Sequence, residues 1–186
     1  MSLFELVIRP LLLTKAKKIN VCCEDFIKGK VLDVGAGRCY IAKELQTKNK
    51  VELTCLDVKD LSQADMKVVI YNGRKIPFKG NEFDTSLISY VLHHCEDPIR
   101  VLKEAVRVTK GNIIIFEDTK PSPFTNVMDF MSNKLRSVET PFKFRTEKEW
   151  LKIFKKLNLK IVAVKHNVER EWFYPLVEHT MVVVRK

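Results

Sequence analysis

Residues 30–45, KVLDVGAGRCYIAKEL, join an apolar run directly to a glycine pair and then to a helical pattern. Gly35 and Gly37 have no Cβ, so the chain can turn sharply there and a ligand can approach the main chain closely. The N–H groups that open the next helix would remain available as donors. Glycines also end strands for structural reasons alone, so this stretch by itself indicates a site without naming its ligand.

The residues around the glycines narrow the choice of ligand. A dinucleotide fingerprint would need glycine at position 40, which is Tyr40, and the G-K-[ST] of a nucleotide-triphosphate loop is absent. Asp57 ends the next apolar run about 20 residues after the glycines, where a carboxylate can accept hydrogen bonds from both hydroxyls of a ribose. The pattern favours a different adenosine ligand, although Asp57 could also cap a following helix.

Strand-like and helix-like segments alternate along the rest of the chain. Asp97 and Pro98 form a helix start with Gly111 as its stop, and TEKE at 146–149 reads as a capping box. This order predicts an α/β fold with a doubly wound, parallel sheet that binds ligands at the carboxyl ends of its strands. The seven candidate strands are 31–35, 51–57, 67–71, 83–89, 112–118, 160–166 and 179–186.

Composition sets broad limits on the protein. A chain of 186 residues with 46% hydrophobic content predicts one globular domain over residues 1–186. A net charge of +10 predicts attraction to anions without identifying one. The five cysteines show neither a disulfide framework nor C-x-x-C spacing, which favours reduced thiols and a cytoplasmic location.

The first 28 residues are expected to form an N-terminal helical segment. Glu5 and Arg9 interrupt the apolar run, which does not resemble a secretion signal and is too short to span a bilayer. An amphipathic surface helix is the simplest interpretation. Peripheral membrane contact stays open as an alternative, because Lys15, Lys17 and Lys18 follow the apolar residues.

Several motifs occur together in one order and carry a family resemblance. They are VLDVGAGRC at 31–39, LDV at 56–58, NGRKIPFKGNEFD at 72–84, YVLHHCEDP at 90–98 and LKEAVRVTKGNIIIFED at 102–118. Residues 30–118 thus resemble the class I S-adenosylmethionine-dependent methyltransferases, above all the small-molecule group of the ubiquinone and menaquinone biosynthesis enzymes. The resemblance implies a Rossmann-like methyltransferase fold with an antiparallel last strand, and S-adenosyl-L-methionine as cofactor.

The same resemblance implies roles for residues at the ends of four strands. Asp57 would hold the ribose, Val58 would pack on the adenine, and Ser89 and Tyr90 would lie near the sulfonium. Cys39 stands where the family usually has a third glycine, a departure that is expected to weaken cofactor binding. The complete set of implied cofactor-binding residues is Asp33, Gly35, Ala36, Gly37, Asp57, Val58, Asn72, Gly73, Ser89 and Tyr90.

Methyl transfer asks the protein mainly to align an acceptor behind the methyl group and to exclude water. If the acceptor must lose a proton, His94 or His93 is the best-placed catalytic base. Either histidine could instead bond a loop carbonyl. No metal is expected, because His93, His94 and the adjacent Cys95 would rarely point at one ion.

Residues 119–145 are expected to form a lid or substrate segment. Its start signal, Ser122-Pro123, precedes an apolar stripe that includes Met128 and Met131, which suits either core packing or contact with an organic acceptor. Asp118 is expected to face the same region or to sit in a solvated turn.

The expected activity is transfer of a methyl group to a small organic acceptor, and two alternatives remain open. One is an RNA or DNA substrate, since 143–165 is rich in Lys, although no N-P-P-[YF] ending follows the fourth strand. The other is a cofactor-binding protein with weak or no activity, which the substitution at Cys39 would suit.

Overall fold

The computed structural model of the chain describes residues 3–120, 144–168 and 178–186. A seven-stranded sheet runs through it in the order β3-β2-β1-β4-β5-β7-β6. The strands are β1 (Lys30–Val34), β2 (Glu52–Asp57), β3 (Val68–Ile70), β4 (Phe83–Ser89), β5 (Thr109–Lys120), β6 (Lys160–Lys165) and β7 (Glu178–Arg185).

The direction of the strands confirms the fold class that the sequence predicts. Strands β1 to β5 pair in parallel, whereas β7 runs antiparallel to both of its neighbours, β5 and β6. The order reverses next to β1, so the loops after β1 and β4 diverge and leave a crevice at the carboxyl edge of the sheet.

Within residues 3–120, 144–168 and 178–186, four helices pack on this sheet: α1 (Leu3–Cys23), α2 (Tyr40–Lys48), α3 (Pro98–Val108) and α4 (Glu147–Lys156). The predicted starts of α3 and α4 are confirmed. Asp97 accepts a hydrogen bond from the N–H of Arg100 at 3.0 Å, and Thr146 and Glu149 form a reciprocal capping box. No helix among the described residues is long and apolar enough to cross a membrane.

Gly111 is not the helix stop that the sequence predicts, because α3 ends at Val108 and β5 begins at the next residue. Within β5, Gly111 lies against the main chain of β4, where an added Cβ would stand 2.5 Å from the carbonyl oxygen of Asp84. The pairing of β4 with β5 shifts between Phe83 and Thr85 at this point. Gly111 therefore permits a close backbone approach at an irregularity in the sheet.

Alternate residues of each strand feed two hydrophobic cores on opposite faces of the sheet. Ile113 and Ile115 of β5 pack on one face with residues of α3 and α4, such as Leu102 and Phe154. Ile114 and Phe116 pack on the other face, which α1 and α2 cover. The two cores fix the sheet rigidly and leave its carboxyl edge for polar side chains.

Candidate active site

The loop after β1 is the glycine pair of the sequence motif. The N–H groups of Gly35 and Ala36 both donate to the carbonyl oxygen of Leu56, at 2.7 and 3.1 Å. Gly35 has φ 77°, and a Cβ there would lie 2.4 Å from a methyl group of Val91, so only glycine fits. A Cβ on Gly37, whose φ is 52°, would meet nothing within 4 Å. The main chain at Gly37 is therefore open to a ligand.

Asp57 lies directly beside this loop. Its Oδ2 accepts a hydrogen bond from the N–H of Gly37 at 2.7 Å, and its Oδ1 accepts one from the N–H of Val58 at 2.6 Å. No helix follows within residues 58–67, all of which the structure describes, so Asp57 is not a helix cap. The two features that the sequence expects to share a site are in contact, and lone pairs remain on both carboxylate oxygens.

Two buried polar atoms near this loop have no hydrogen-bond partner among the described residues: Oδ2 of Asp33 and Oγ of Ser89. Asp33 is only 2% exposed. Its burial, followed by the proximity of Cys39 and Asp57, raises the pKa of its carboxyl group to about 8. Buried polar groups without partners are rare, and they mark places where a ligand can complete the bonding.

Beyond Asp57, the site has an apolar side. Val58 is half exposed, and a Cβ on Gly73 would lie 3.5 Å from its Cγ1, in ordinary contact. The side-chain oxygen of Asn72 accepts from the N–H groups of Arg74 and Lys75, at 3.0 and 3.2 Å. An adenine amino group that donates to Asn72, as expected from the sequence, would therefore have to share the side-chain oxygen with these two backbone N–H groups.

Cys39 precedes α2 in a left-handed conformation with φ 61°, the backbone region that favours glycine. Its side chain is fully buried in the core beneath α1 and α2. The thiol lies 3.7 Å from the carbonyl oxygen of Gly37. The cysteine thus serves as a small packing residue at a strained position next to the loop.

The two histidines expected to act as bases lie in a short 3₁₀ helix, Leu92–His94, after β4. His93 is 1% exposed, and its Nδ1 lies 2.6 Å from Oε2 of Glu117, whose other oxygen accepts from the N–H of Leu92. The ring of Phe144 stacks on His93 at 4.7 Å. His93 is therefore buried in the core, whereas a catalytic base would have to be accessible to the acceptor. The neighbouring His94 is partly exposed.

One further histidine at this edge of the sheet, His179, is not among the site residues predicted from the sequence. Antiparallel pairing of β5 with β7 sets His179 opposite Asp118, and Nδ1 of His179 lies 2.6 Å from Oδ1 of Asp118. Asp118 is buried and not in a solvated turn. The expected antiparallel last strand could have indicated this residue. An antiparallel strand begins where its parallel neighbours end, so its first residues lie at the carboxyl edge of the sheet.

The lid prediction, including the stripe with Met128 and Met131, lies outside the described residues except at the ends of 119–145. Within the described parts of the chain, no group of three or more His, Cys, Asp or Glu side chains is arranged to hold a metal ion.

Comparison with known proteins gives consistent matches. A family model described as a methyltransferase domain matches residues 32–116. An uncharacterized protein of Methanocaldococcus jannaschii is 30% identical over 146 residues, which are 77% of this chain and 71% of that protein. A demethylmenaquinone methyltransferase of Corynebacterium glutamicum is 34% identical over 102 residues, 50% of this chain and only 43% of that enzyme.

The fold has a close match in a solved structure. A protein of Methanosarcina mazei, described as a SAM-dependent methyltransferase, superposes with a TM-score of 0.68 over 89% of this chain and 96% of its own, at 17% identity. At that identity the likeness concerns the fold alone.

Proposed function

Because this chain belongs to the class I S-adenosylmethionine-dependent methyltransferases, we propose that it transfers a methyl group from S-adenosylmethionine to a small organic acceptor. The observation that carries the proposal is the contact between Asp57 and the open main chain of Gly37, at 2.7 Å. A carboxylate beside an exposed glycine loop at the carboxyl edge of the sheet supports a ribose site at Asp57.

The residues of the loop suit the charge of this cofactor, which carries a positive sulfonium and a positive amino group. The buried carboxyl of Asp33 has an oxygen without a partner, and it becomes ionised more readily when a cation binds nearby. Ser89 adds a second unpaired polar atom at the end of β4. Asp33 and Ser89 would therefore hold the amino acid part, with Gly35, Ala36 and Gly37 around it.

The nucleoside part fits the other side of the loop. Asp57 would accept hydrogen bonds from the ribose hydroxyls through its remaining lone pairs. The half-exposed Val58 and the side-chain-free surface of Gly73 would cover one face of the adenine, with Asn72 at its edge. Burial of the apolar surface of Val58 by the base would stabilise the complex.

The cofactor supplies an activated methyl group, so the protein has to position the acceptor and keep water away. Tyr90 follows Ser89 in a left-handed turn with φ 57°, and its N–H donates to the carbonyl oxygen of Phe116 at 2.9 Å. This bond ties the end of β4 to β5, and the ring of Tyr90 lies between His179 and Lys15. Tyr90 would then form one wall of the acceptor space.

A small organic acceptor is favoured by the relatives whose names specify a substrate, such as the demethylmenaquinone methyltransferase of C. glutamicum. The name of that enzyme specifies a menaquinone precursor, and this chain spans only 43% of its length. The net charge of +10 would not hinder binding of a neutral or anionic aromatic molecule.

The cofactor site can be tested by thermal unfolding with and without S-adenosylhomocysteine. A ligand at 100 times its Kd stabilises the folded state by about 2.7 kcal/mol, which corresponds to roughly 5–10 °C for a chain of this size. We expect that shift for the wild type and its loss in Asp57→Ala, because the substitution removes both the ribose acceptor and the bond to Gly37.

Asp25→Ala provides the matched control, since Asp25 is an exposed carboxylate in the loop before β1, at the opposite edge of the sheet. It should keep the full shift. An Asp57→Ala protein that binds S-adenosylhomocysteine as tightly as the wild type would contradict the placement of the cofactor.

A further inference from the structure

Asp118 and His179 form a carboxylate–imidazole pair at the carboxyl edge of the sheet. They are partners in the β5–β7 register, with 2.6 Å between Oδ1 and Nδ1. The Asp118 side chain is 7% exposed and that of His179 is 14% exposed. The carboxylate is thus enclosed, while the imidazole retains a route to the outside.

The electrostatic setting keeps Asp118 ionised. Burial alone would raise the pKa of its carboxyl group, but the close approach of His179 outweighs burial, and Lys15 and His93 add to the effect, so the pKa is lowered. When the imidazole is neutral, a carboxylate 2.6 Å from Nδ1 favours the proton on that nitrogen and leaves the lone pair on Nε2. His179 is therefore arranged as a base.

The ring of His179 stands against the proposed acceptor wall. It meets the ring of Tyr90 edge to face, with centroids 5.3 Å apart and an interplanar angle of 88°. The ammonium group of Lys15, from α1, lies 3.4 Å from the centre of the same Tyr90 ring. A base and a cation thus flank Tyr90, immediately after Ser89 at the end of β4.

A second such pair, His93 with Glu117, offers an internal comparison. Glu117 and Asp118 are consecutive in β5, so their side chains point to opposite faces of the sheet. The His93 side chain is 2% exposed, and Glu117 also holds the N–H of Leu92. The His93–Glu117 pair therefore fixes the loop after β4. The His179–Asp118 pair, which lies on the face of the sheet that carries Tyr90, is less deeply buried.

We propose that His179 is the catalytic base that removes a proton from the methyl acceptor, with Asp118 as its positioning residue and Lys15 as the cation that stabilises the acceptor anion. The inference rests on the proposed function and names the acceptor class: an O–H acid such as a phenol, an enol or a hydroquinone. A cation beside the acceptor would oppose the positive charge that develops on an amine, so amines are disfavoured.

The step balances as a proton transfer followed by displacement. The acceptor O–H proton moves to Nε2 of His179, and the imidazolium is stabilised by Asp118. The electron pair left on the acceptor forms a bond to the methyl carbon as the bond from that carbon to sulfur breaks. Sulfur keeps the pair of that bond and becomes a neutral thioether.

The test uses the full chain and three variants: His179→Gln, Asp118→Asn and, as matched control, His166→Gln. His166 also faces a carboxylate, with Nδ1 3.5 Å from Oε2 of Glu147, but its side chain is 46% exposed and follows β6. The probes are S-adenosylhomocysteine, measured by calorimetry, and a panel of phenols with a reduced naphthoquinone bearing a short prenyl chain, measured by transfer of a labelled methyl group.

All variants should bind S-adenosylhomocysteine with the affinity of the wild type. We expect kcat for the phenolic probes to fall about 100-fold or more in His179→Gln and Asp118→Asn, and to stay unchanged in His166→Gln.

A readout without turnover comes from ¹⁵N NMR of the histidine rings in the presence of S-adenosylhomocysteine. His179 should carry its proton on Nδ1 and should shift when a phenol is added, and Asp118→Asn should lose this tautomer preference. Full turnover in His179→Gln, or a wild type that binds S-adenosylhomocysteine but neither binds nor methylates any probe, overturns the inference alone. Absence of S-adenosylhomocysteine binding would overturn the proposed function instead.

Discussion

Asp33 is a carboxylic acid held inside the protein at an electrostatic cost. Its pKa is raised from 3.8 to about 8, first by burial and then by Cys39 and Asp57. Between these two values the folded state binds a proton that the unfolded state has lost, so the contribution of Asp33 to the free energy of unfolding falls as pH rises. The group is least costly below about pH 4 and most costly above about pH 8.

Asp33→Asn should remove this pH dependence. The amide has nearly the same shape and cannot ionise, so we expect the variant to be more stable than the wild type at pH 8 by roughly 2–5 kcal/mol, and similar to it at pH 4. Urea unfolding at the two pH values measures the difference. The variant should also bind S-adenosylmethionine more weakly, since a charge facing the cation is lost. An equal change in stability at both pH values would refute this account.

Cys39 combines a left-handed backbone with a buried side chain, and two substitutions separate the effects. Cys39→Ala keeps the backbone strain and loses the packed sulfur, whereas Cys39→Gly loses the sulfur but relieves a strain of about 1 kcal/mol. We therefore expect Cys39→Gly to be more stable than Cys39→Ala by about 1 kcal/mol in urea unfolding. Glycine is also preferred over alanine at an N-cap by a smaller margin, whereas a helix interior favours alanine. A Cys39→Ala protein as stable as Cys39→Gly or more so would argue against strain at this residue.

At the scale of an element, the junction of β4 and β5 depends on Gly111. Gly111→Ala would bring a Cβ to 2.5 Å from the Asp84 carbonyl oxygen, which forces the two strands apart, and we expect a loss of about 1–3 kcal/mol in stability. The comparison is Gly80→Ala, whose Cβ would lie at an ordinary 3.6 Å from the Arg107 carbonyl oxygen. It should change the free energy of unfolding by less than about 0.5 kcal/mol. Equal losses in both variants would exclude a role for the close approach.

The same junction shows which elements a sequence can predict. The strands follow from runs of β-branched and apolar residues, and the starts of α3 and α4 from local caps at Asp97 and Thr146. The end of α3 does not follow, because Thr109 leaves the helical pattern to pair with Phe83 and to bond the Ser86 hydroxyl at 2.6 Å. Contacts with distant residues decide that boundary, and no local signal reports them.

Predictability within the candidate site follows the same division. The loop and Asp57 could be paired in advance, because their spacing is typical of a strand–helix–strand unit. The pair of Asp118 with His179 joins residues that are far apart in sequence, and it depends on the register of β5 with β7. The burial of His93 against Glu117 likewise depends on the 3₁₀ helix turning inward after β4.

For the molecule as a whole, the net charge of the protein and the charge of the proposed cofactor have the same sign. A net charge of +10 repels a cationic cofactor at long range, so binding must depend on short-range carboxylates that salt screens poorly. Asp33 and Asp57 supply them at one end of the crevice. The same field attracts anions, and it therefore favours the ionised form of an acceptor held between His179 and Lys15.

The reversed direction of β7 also determines which side of the protein a label or a solid support would occupy. Because β7 starts at the edge that carries His179, it finishes at the opposite one, where the ammonium group of Lys186 lies 2.6 Å from Oδ1 of Asn81. A fluorophore or resin linker attached to the side chain of Lys186 would be anchored at the far rim. An immobilised protein would then present its crevice to the bulk solution.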